Sequence, residues 1–291
     1  FPQIYPCPNV EGDAYTVFTN RPAAGAMRGY GIPQAMWAGE AHLDDVARAL
    51  GRDPVEYRRQ VAMPKGFVDG FSKNENYYDT FREVMDRGMA AIGYEEKRRA
   101  CQNQTGPVRR GIGMALFWYN TAVWPISLES SSCRMVLNQD GSVQVQTGET
   151  EIGQGCDTAF AQMAADAIGI PFEDVHMVST QDTDITPFGT GAYASRQTYV
   201  GGFALRQTGQ LLKDRILTCA VELTRQMREN LDLVDGKIVR VTDGRELMTL
   251  GELATEVLYS LTHSQHLTAE STCQIKNNAY SFGCTFAEVE V

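Results

Sequence analysis

Three stretches of the chain concentrate residue types that can handle a charged or polar ligand. The first is Met27-Arg28-Gly29-Tyr30-Gly31, just ahead of Pro33; the second is Thr150-Glu151-Ile152-Gly153-Gln154-Gly155-Cys156-Asp157; the third is Ala194-Ser195-Arg196-Gln197. Each precedes apolar residues at helical spacing, so backbone N–H groups and the positive end of a helix converge there and favour an anion. Gly153 and Gly155 let a ligand approach the backbone, Gln154 can donate and accept hydrogen bonds together, and Arg196 adds a planar cation suited to phosphate. Taken singly, such a loop is more often an ordinary helix cap beside a surface arginine. None of the three fits the glycine fingerprints of nucleotide-binding loops. Their recurrence in one chain is the informative point.

Other chemistry is less well served. Cys156 stands at an expected helix start, where a thiol pKa falls, so a hydrolase or transferase with this nucleophile is an alternative, although the sequence marks no base or orienting residue for it. The seven cysteines are scattered without a C-x-x-C pair and read as reduced thiols, while His263 and His266 lack further metal-ligand spacing. With 26 Lys and Arg against 36 Asp and Glu, the net charge of −10 repels a phosphate backbone, so no nucleic-acid partner is expected. No apolar run nears the length of a bilayer span and no basic-then-apolar leader opens the chain, which predicts a cytoplasmic protein with no membrane partner. The missing initiator Met and the alternating final strand at 287–291 suggest a fragment or a trimmed subunit.

The elements that must position these residues follow from periodicity and punctuation. At 291 residues and 43% hydrophobic content the chain can bury a sizeable core in one large domain or two ordinary ones. Pro33 suits a helix start and Gly51 its end, and Asp53-Pro54 is an N-cap followed by an N1 proline. A further helix is expected over 78–92, then a charged linker over 95–110. From residue 111 the pattern turns to strands: 112–119, then a hairpin of 133–137 and 143–146 around Asp140-Gly141. Asp157 is read as the cap of a helix that stops at Gly169. A strand at 175–178 follows, then a polar loop over 180–194 and a long helix over 197–228. A strand at 238–241, a helix near 250–261 and two terminal strands complete the chain. These elements predict an α+β fold with two domains, 1–110 and 111–291.

The order and spacing of 26–34, 153–155 and 195–197, with the helical 51–59 and the closing 286–291, resemble the molybdenum hydroxylases: xanthine dehydrogenases, aldehyde oxidoreductases and nicotinate dehydrogenases. The likeness covers almost the whole chain and matches the C-terminal part of the molybdenum-cofactor-binding subunit. It implies molybdopterin-binding subdomains of mixed sheets and packed helices. By resemblance, Arg28 lies beside the molybdenum centre and the pterin phosphate, with Gly29 in the same loop, and Met27 and Tyr30 contact substrate. Gly153, Gln154 and Gly155, with Cys156 and Asp157, would hold the pterin. Ala194, Ser195, Arg196 and Gln197 would hold a nucleotide tail, which favours the cytosine dinucleotide form of molybdopterin. No protein side chain is expected to ligate the metal directly, because in this family the pterin supplies the ligands.

The reaction implied is hydroxylation of a purine or other N-heterocycle with water as the oxygen source, with electrons passing to iron–sulfur clusters and FAD on partner subunits or domains. An aldehyde oxidoreductase subunit and a cofactor-free binding or assembly module are the alternatives. Two departures matter. Met27 and Tyr30 stand where many relatives carry Phe. The family's glutamate base, in a Gly-x-Gly-Glu-Pro-type segment, does not occur in this sequence; Glu288 and Glu290 alternate on a strand and are not that motif. The chain alone is therefore expected to be inactive without the remaining part of the molybdenum subunit.

Overall fold

The computed structural model describes residues 4–25, 27–68, 70, 73, 75–178 and 182–291. In chain order the elements are α1 (Ile32–Ala49), α2 (Pro54–Val61), α3 (Thr80–Ile92), α4 (Tyr94–Ala100), β1 (Arg110–Thr121), β2 (Glu129–Leu137), β3 (Val143–Thr147), α5 (Cys156–Ile168), β4 (Val175–Met177), α6 (Gly202–Thr224), β5 (Leu231–Val234), β6 (Lys237–Arg240), β7 (Glu246–Thr249), α7 (Leu250–Leu258), β8 (Thr268–Ile275) and β9 (Ala279–Glu290). The fold is α+β. Among the described residues no helix is long and apolar enough to cross a membrane.

Two compact units divide the chain: Phe1–Thr121 with Asn277–Val291, and Ala122–Lys276. The sequence reading puts the boundary after residue 110 and both terminal strands in the second domain; the structure instead keeps β1 and β9 in the first unit. The cause is their antiparallel pairing, which runs in one unbroken register from Arg110↔Glu290 to Thr121↔Ala279. Tyr280, Phe282, Cys284 and Phe286 of β9 join the apolar cluster of Phe81, Met85 and Tyr94, and the rings of Phe81 and Phe282 meet edge-on at 5.0 Å. Such a pairing stabilises through side-chain burial across a long sequence separation that local patterning does not encode.

Local punctuation in the first unit follows the sequence closely. The Asp53 carboxylate accepts hydrogen bonds from the N–H groups of Val55 at 2.9 Å and Glu56 at 3.2 Å, ahead of Pro54. Gly51, at φ 65°, follows α1 in the left-handed conformation. The first part of the charged stretch read as a linker, 95–100, instead lies in α4, whose first turn carries Glu95 and Glu96 and whose last turn carries Lys97, Arg98 and Arg99, both favourable to the helix dipole. Buried Arg58 ties the helices together, reaching Glu40 at 2.7 Å and Asp44 at 2.6 Å. Glu40 also accepts from Tyr5 Oη at 2.5 Å and from the N–H of Leu116 on β1 at 2.8 Å.

The second unit is built on a four-stranded sheet of order β4-β3-β2-β8, in which only β3 and β4 run parallel. The β2–β3 hairpin turns at Asp140-Gly141 as the sequence indicates, with Leu137 opposite Val143. Helices α5 and α6 cover the sheet and bury Phe160, Ile168, Leu205, Leu212 and Ile216 completely. They can come close because Gly209 has no side chain: a Cβ there would lie 2.7 Å from Ala167 Cβ. A second sheet, β5-β6-β7, precedes α7, whose start is fixed by a capping box between Thr249 and Glu252. Only β6 of this sheet is legible in the sequence.

Candidate functional site

The predicted residues fall in both units, and each unit is described by itself. In the first, Ala26 lies outside the described residues. Residues 27–31 form two tight turns before α1: Tyr30 N–H donates to Met27 O at 2.8 Å and Ile32 N–H to Gly29 O at 3.0 Å. Gly29 needs its φ of 105°, and a Cβ on it would lie 2.7 Å from Pro33 Cδ. Met27 and Tyr30 are 66% and 56% exposed, and Arg28 is exposed with no ion pair among the described residues. The helix has no side-chain N-cap and no acid in its first turn, but Ile32 N–H is used by Gly29 O and Pro33 has none, so the Arg28 guanidinium is the main group left for an anion.

The segment at 150–157 differs from its sequence reading. Gly155 is the N-cap of α5, and Asp157 sits in the first turn without capping it. The N–H groups that would meet an anion are taken by Glu151, whose Oε1 accepts from Gly153 at 2.6 Å and Gly155 at 3.2 Å while its Oε2 accepts from Asp157 at 3.0 Å. These backbone donors, that of Asp157 foremost, hold the Glu151 carboxyl below its usual range. Gly153 and Gly155, at φ 95° and 85°, face open space where a side chain would stand. Cys156 is 5% exposed, and burial, followed by the charges of Asp157, Glu149 and Glu151, pushes its thiol up to about 12. The expected activation of this cysteine is overturned: desolvation and three acids outweigh the helix end.

Arg196 departs most from expectation. It is wholly buried and serves as an internal strut. Its Nε donates to Glu129 Oε2 at 2.7 Å, Nη1 to Glu149 Oε1 at 2.7 Å and to Gly191 O at 3.3 Å, and Nη2 to Ser130 O at 2.5 Å. With four of its five N–H donors engaged and the whole group enclosed beside two buried carboxylates, it is not presented to a phosphate at the surface. The residues before it, Ala194 and Ser195, both adopt left-handed φ, 46° and 54°, a conformation that costs roughly 1–2 kcal/mol for each non-glycine residue. The kink buries Ala194 and Arg196 and leaves Ser195 exposed between them. Gln197, 8% exposed, opens a π-helical turn, Gln197–Gly201, that leads into α6.

The structure brings the second and third stretches together. Gly148 and Gly189 pack backbone to backbone, where a side chain on either would overlap the other strand of chain. Ser132 N–H donates to Phe188 O at 2.8 Å on the same side. Gln154 Nε2 then reaches Gln197 Oε1 at 2.5 Å. Residues 179–181 of the intervening loop lie outside the described residues. Sequence reasoning missed Glu129 and Glu149. Glu129 also accepts from the N–H of Val123 at 2.8 Å, and burial raises the Glu149 carboxyl despite the nearby Arg196. Nothing local marks them, since an acid that opens a strand, as Glu129 does, or follows one, as Glu149 does, reads as exposed until its buried cation is known. Among the described residues no three of His, Cys, Asp or Glu are grouped to hold a metal ion.

Known proteins agree with this architecture. Residues 87–291 and 1–62 each match a molybdopterin cofactor-binding domain family. A putative xanthine dehydrogenase molybdenum-binding subunit of Escherichia coli (strain K12) is 44% identical over 289 residues, 99% of this chain and 38% of that protein. A xanthine dehydrogenase of Drosophila pseudoobscura pseudoobscura is 33% identical over 219 residues, 74% of this chain and 16% of its own. The chain thus spans well under half the length of these relatives. Among solved structures, quinoline 2-oxidoreductase from Pseudomonas putida 86 shares the fold at a TM-score of 0.73 and 24% identity, over 91% of this chain and 35% of that one. The aldehyde oxidoreductase of Desulfovibrio desulfuricans gives 0.63 at 25% identity, over 91% and 27%. The chain belongs to the molybdopterin cofactor-binding family that includes the molybdenum-binding subunits of xanthine dehydrogenases.

Proposed function

We propose that this chain holds the pterin of a molybdenum cofactor within a larger xanthine dehydrogenase-type hydroxylase acting on a purine or other N-heterocycle, with water as the oxygen source. The observation that carries this reading is the 44% identity along 99% of the chain to a molybdenum-binding subunit. When bound, the cofactor supplies the redox chemistry at the substrate carbon. The chain's own residues bind and orient it. The open glycine faces at Gly153 and Gly155, the exposed amide of Gln154 and the exposed Ser195 can lie against a flat heterocycle. The free guanidinium of Arg28 suits a phosphate. Arg196 and Glu149 orient these loops from beneath and touch no ligand, and Met27 and Tyr30 offer an exposed thioether and ring to a substrate.

The cytosine dinucleotide form, iron–sulfur and FAD partners, the remaining part of the molybdenum subunit and a cytoplasmic setting belong to the same proposal. So does the expectation that the chain alone does not turn over. The test is molybdenum analysis together with fluorescence of the oxidised pterin on protein purified with all its subunits. Stoichiometric molybdenum and pterin, with the nucleotide released on hydrolysis, are expected. Absence of both would sink the proposal and favour an assembly module. Oxidation of aldehydes but not N-heterocycles by that complex would shift the substrate class.

A further inference from the structure

The amide of Gln154 is held in one orientation by atoms whose hydrogen-bonding sense cannot change. The N–H of Ile152 can only donate, so the Gln154 atom 2.7 Å from it is the carbonyl Oε1. The carbonyl of Thr150 can only accept, so the Gln154 atom 2.9 Å from it is Nε2. The same carbonyl faces Gln197 at 2.8 Å, which makes that atom Nε2 as well and turns Gln197 Oε1 toward Gln154 Nε2 at 2.5 Å. These backbone atoms fix both amides without regard to how oxygen and nitrogen are assigned.

The consequence is an inventory. Both N–H bonds of Gln154 are used, one on Thr150 and one on Gln197, and a single lone pair of Oε1 remains for a ligand. The backbone N–H groups of Gly153, Gly155 and Asp157 are used by Glu151. Apart from the Thr150 hydroxyl, the exposed or half-buried polar side-chain groups of this segment are therefore acceptors, the carboxylates of Glu151 and Asp157 among them. We infer that Gln197 is a positioning residue: it locks Gln154 with its carbonyl oxygen outward, so that segment 150–157 recognises an N–H edge of a heterocycle and repels a phosphate. This rests on the proposed function only for the identity of the ligand. It reverses the anion-binding role that the glycines and helix start suggest, and leaves Arg28 as the cation for a phosphate.

The test uses the full chain labelled with 15N and needs no cofactor. In the wild type both side-chain amide protons of Gln154 should exchange with solvent at least about tenfold more slowly than those of an exposed glutamine such as Gln210. In Gln197→Met one of them should become free, with the backbone amides of the β2–β3 hairpin unmoved. Added 6-hydroxymethylpterin should shift Gln154 and bind about fivefold more weakly to Gln197→Met, the loss of one oriented hydrogen bond. Inorganic phosphate should leave the amides of Gly153, Gly155 and Asp157 in place. Freely exchanging Gln154 protons in the wild type, or phosphate displacing Glu151 from those amides, would overturn the inference. Slow exchange with no pterin bound would support the locked amide and count against the proposed ligand. If Gln197→Met does not fold, the wild-type exchange rates and the phosphate titration decide the matter alone.

Discussion

Replacing Arg196 by methionine distinguishes a phosphate-binding surface residue from an internal strut. The guanidinium and both its carboxylate partners have 0% side-chain exposure, and its fork also serves the carbonyls of Ser130 and Gly191. Methionine roughly fills the volume but strands Glu129 and Glu149 in a region from which water is excluded. Breaking a buried pair in this way costs about 3–5 kcal/mol. For a unit of this size each kcal/mol moves the melting temperature by about 2–4 °C, so a fall of about 6–20 °C is expected. The assay is thermal unfolding of the ligand-free chain followed by circular dichroism, with a Glu129→Gln, Arg196→Met double variant beside it. The double variant removes one stranded charge and should recover part of the loss. A single variant that melts within about 2 °C of the wild type would refute the strut, because a ligand-binding arginine can be lost from the free protein at almost no cost.

Three further outcomes follow from the same site. Burial holds the Glu149 carboxyl above its ordinary range, so its contribution to stability is fully present below that range and is lost as pH rises through the raised value. Glu149→Gln should therefore gain on the wild type as pH rises across this window in denaturant titrations, and parallel curves would count against it. Glu151 is the opposite case: the backbone donors of α5 lower its pKa, so its support is present above the ordinary carboxylate range and disappears as pH falls through the depressed value. Hydrogen exchange at Gly153, Gly155 and Asp157 should quicken there in the wild type, and should be fast at all pH values in Glu151→Ala. Cys156, with its thiol pushed up to about 12, should stay unmodified by iodoacetamide at neutral pH while the exposed Cys7 reacts; mass spectrometry showing early labelling of Cys156 would restore the nucleophile reading.

What was legible in the sequence was local. Gly51, Asp53-Pro54, Asp140-Gly141 and Gly169 announce helix ends, a cap and a hairpin because each acts on its own neighbours. The two stretches that meet in the second unit were also readable as a pair. What they do was not. Whether Arg196 points outward or inward depends on Glu129 and Glu149, far off in the chain, and whether the α5 start is open depends on one rotamer of Glu151. The pairing of β9 with β1 and the β5-β6-β7 sheet fail for the same reason: short or exposed strands such as Glu246–Thr249 carry little alternation, and their partners are set by packing.

The β1–β9 register has a consequence for synthesis. A ribosome delivers β1 well before β9, and every residue of the second unit is made in the interval, since Thr121 pairs with Ala279. Until then the nascent first unit carries a bare strand edge of Met114, Leu116 and Trp118, the kind of edge that recruits wrong partners. Closing so long a loop costs entropy that grows only with the logarithm of its length, and less once the intervening chain has folded into a compact body. Translation order thus favours the second unit as the first to mature, with the first unit sealed last.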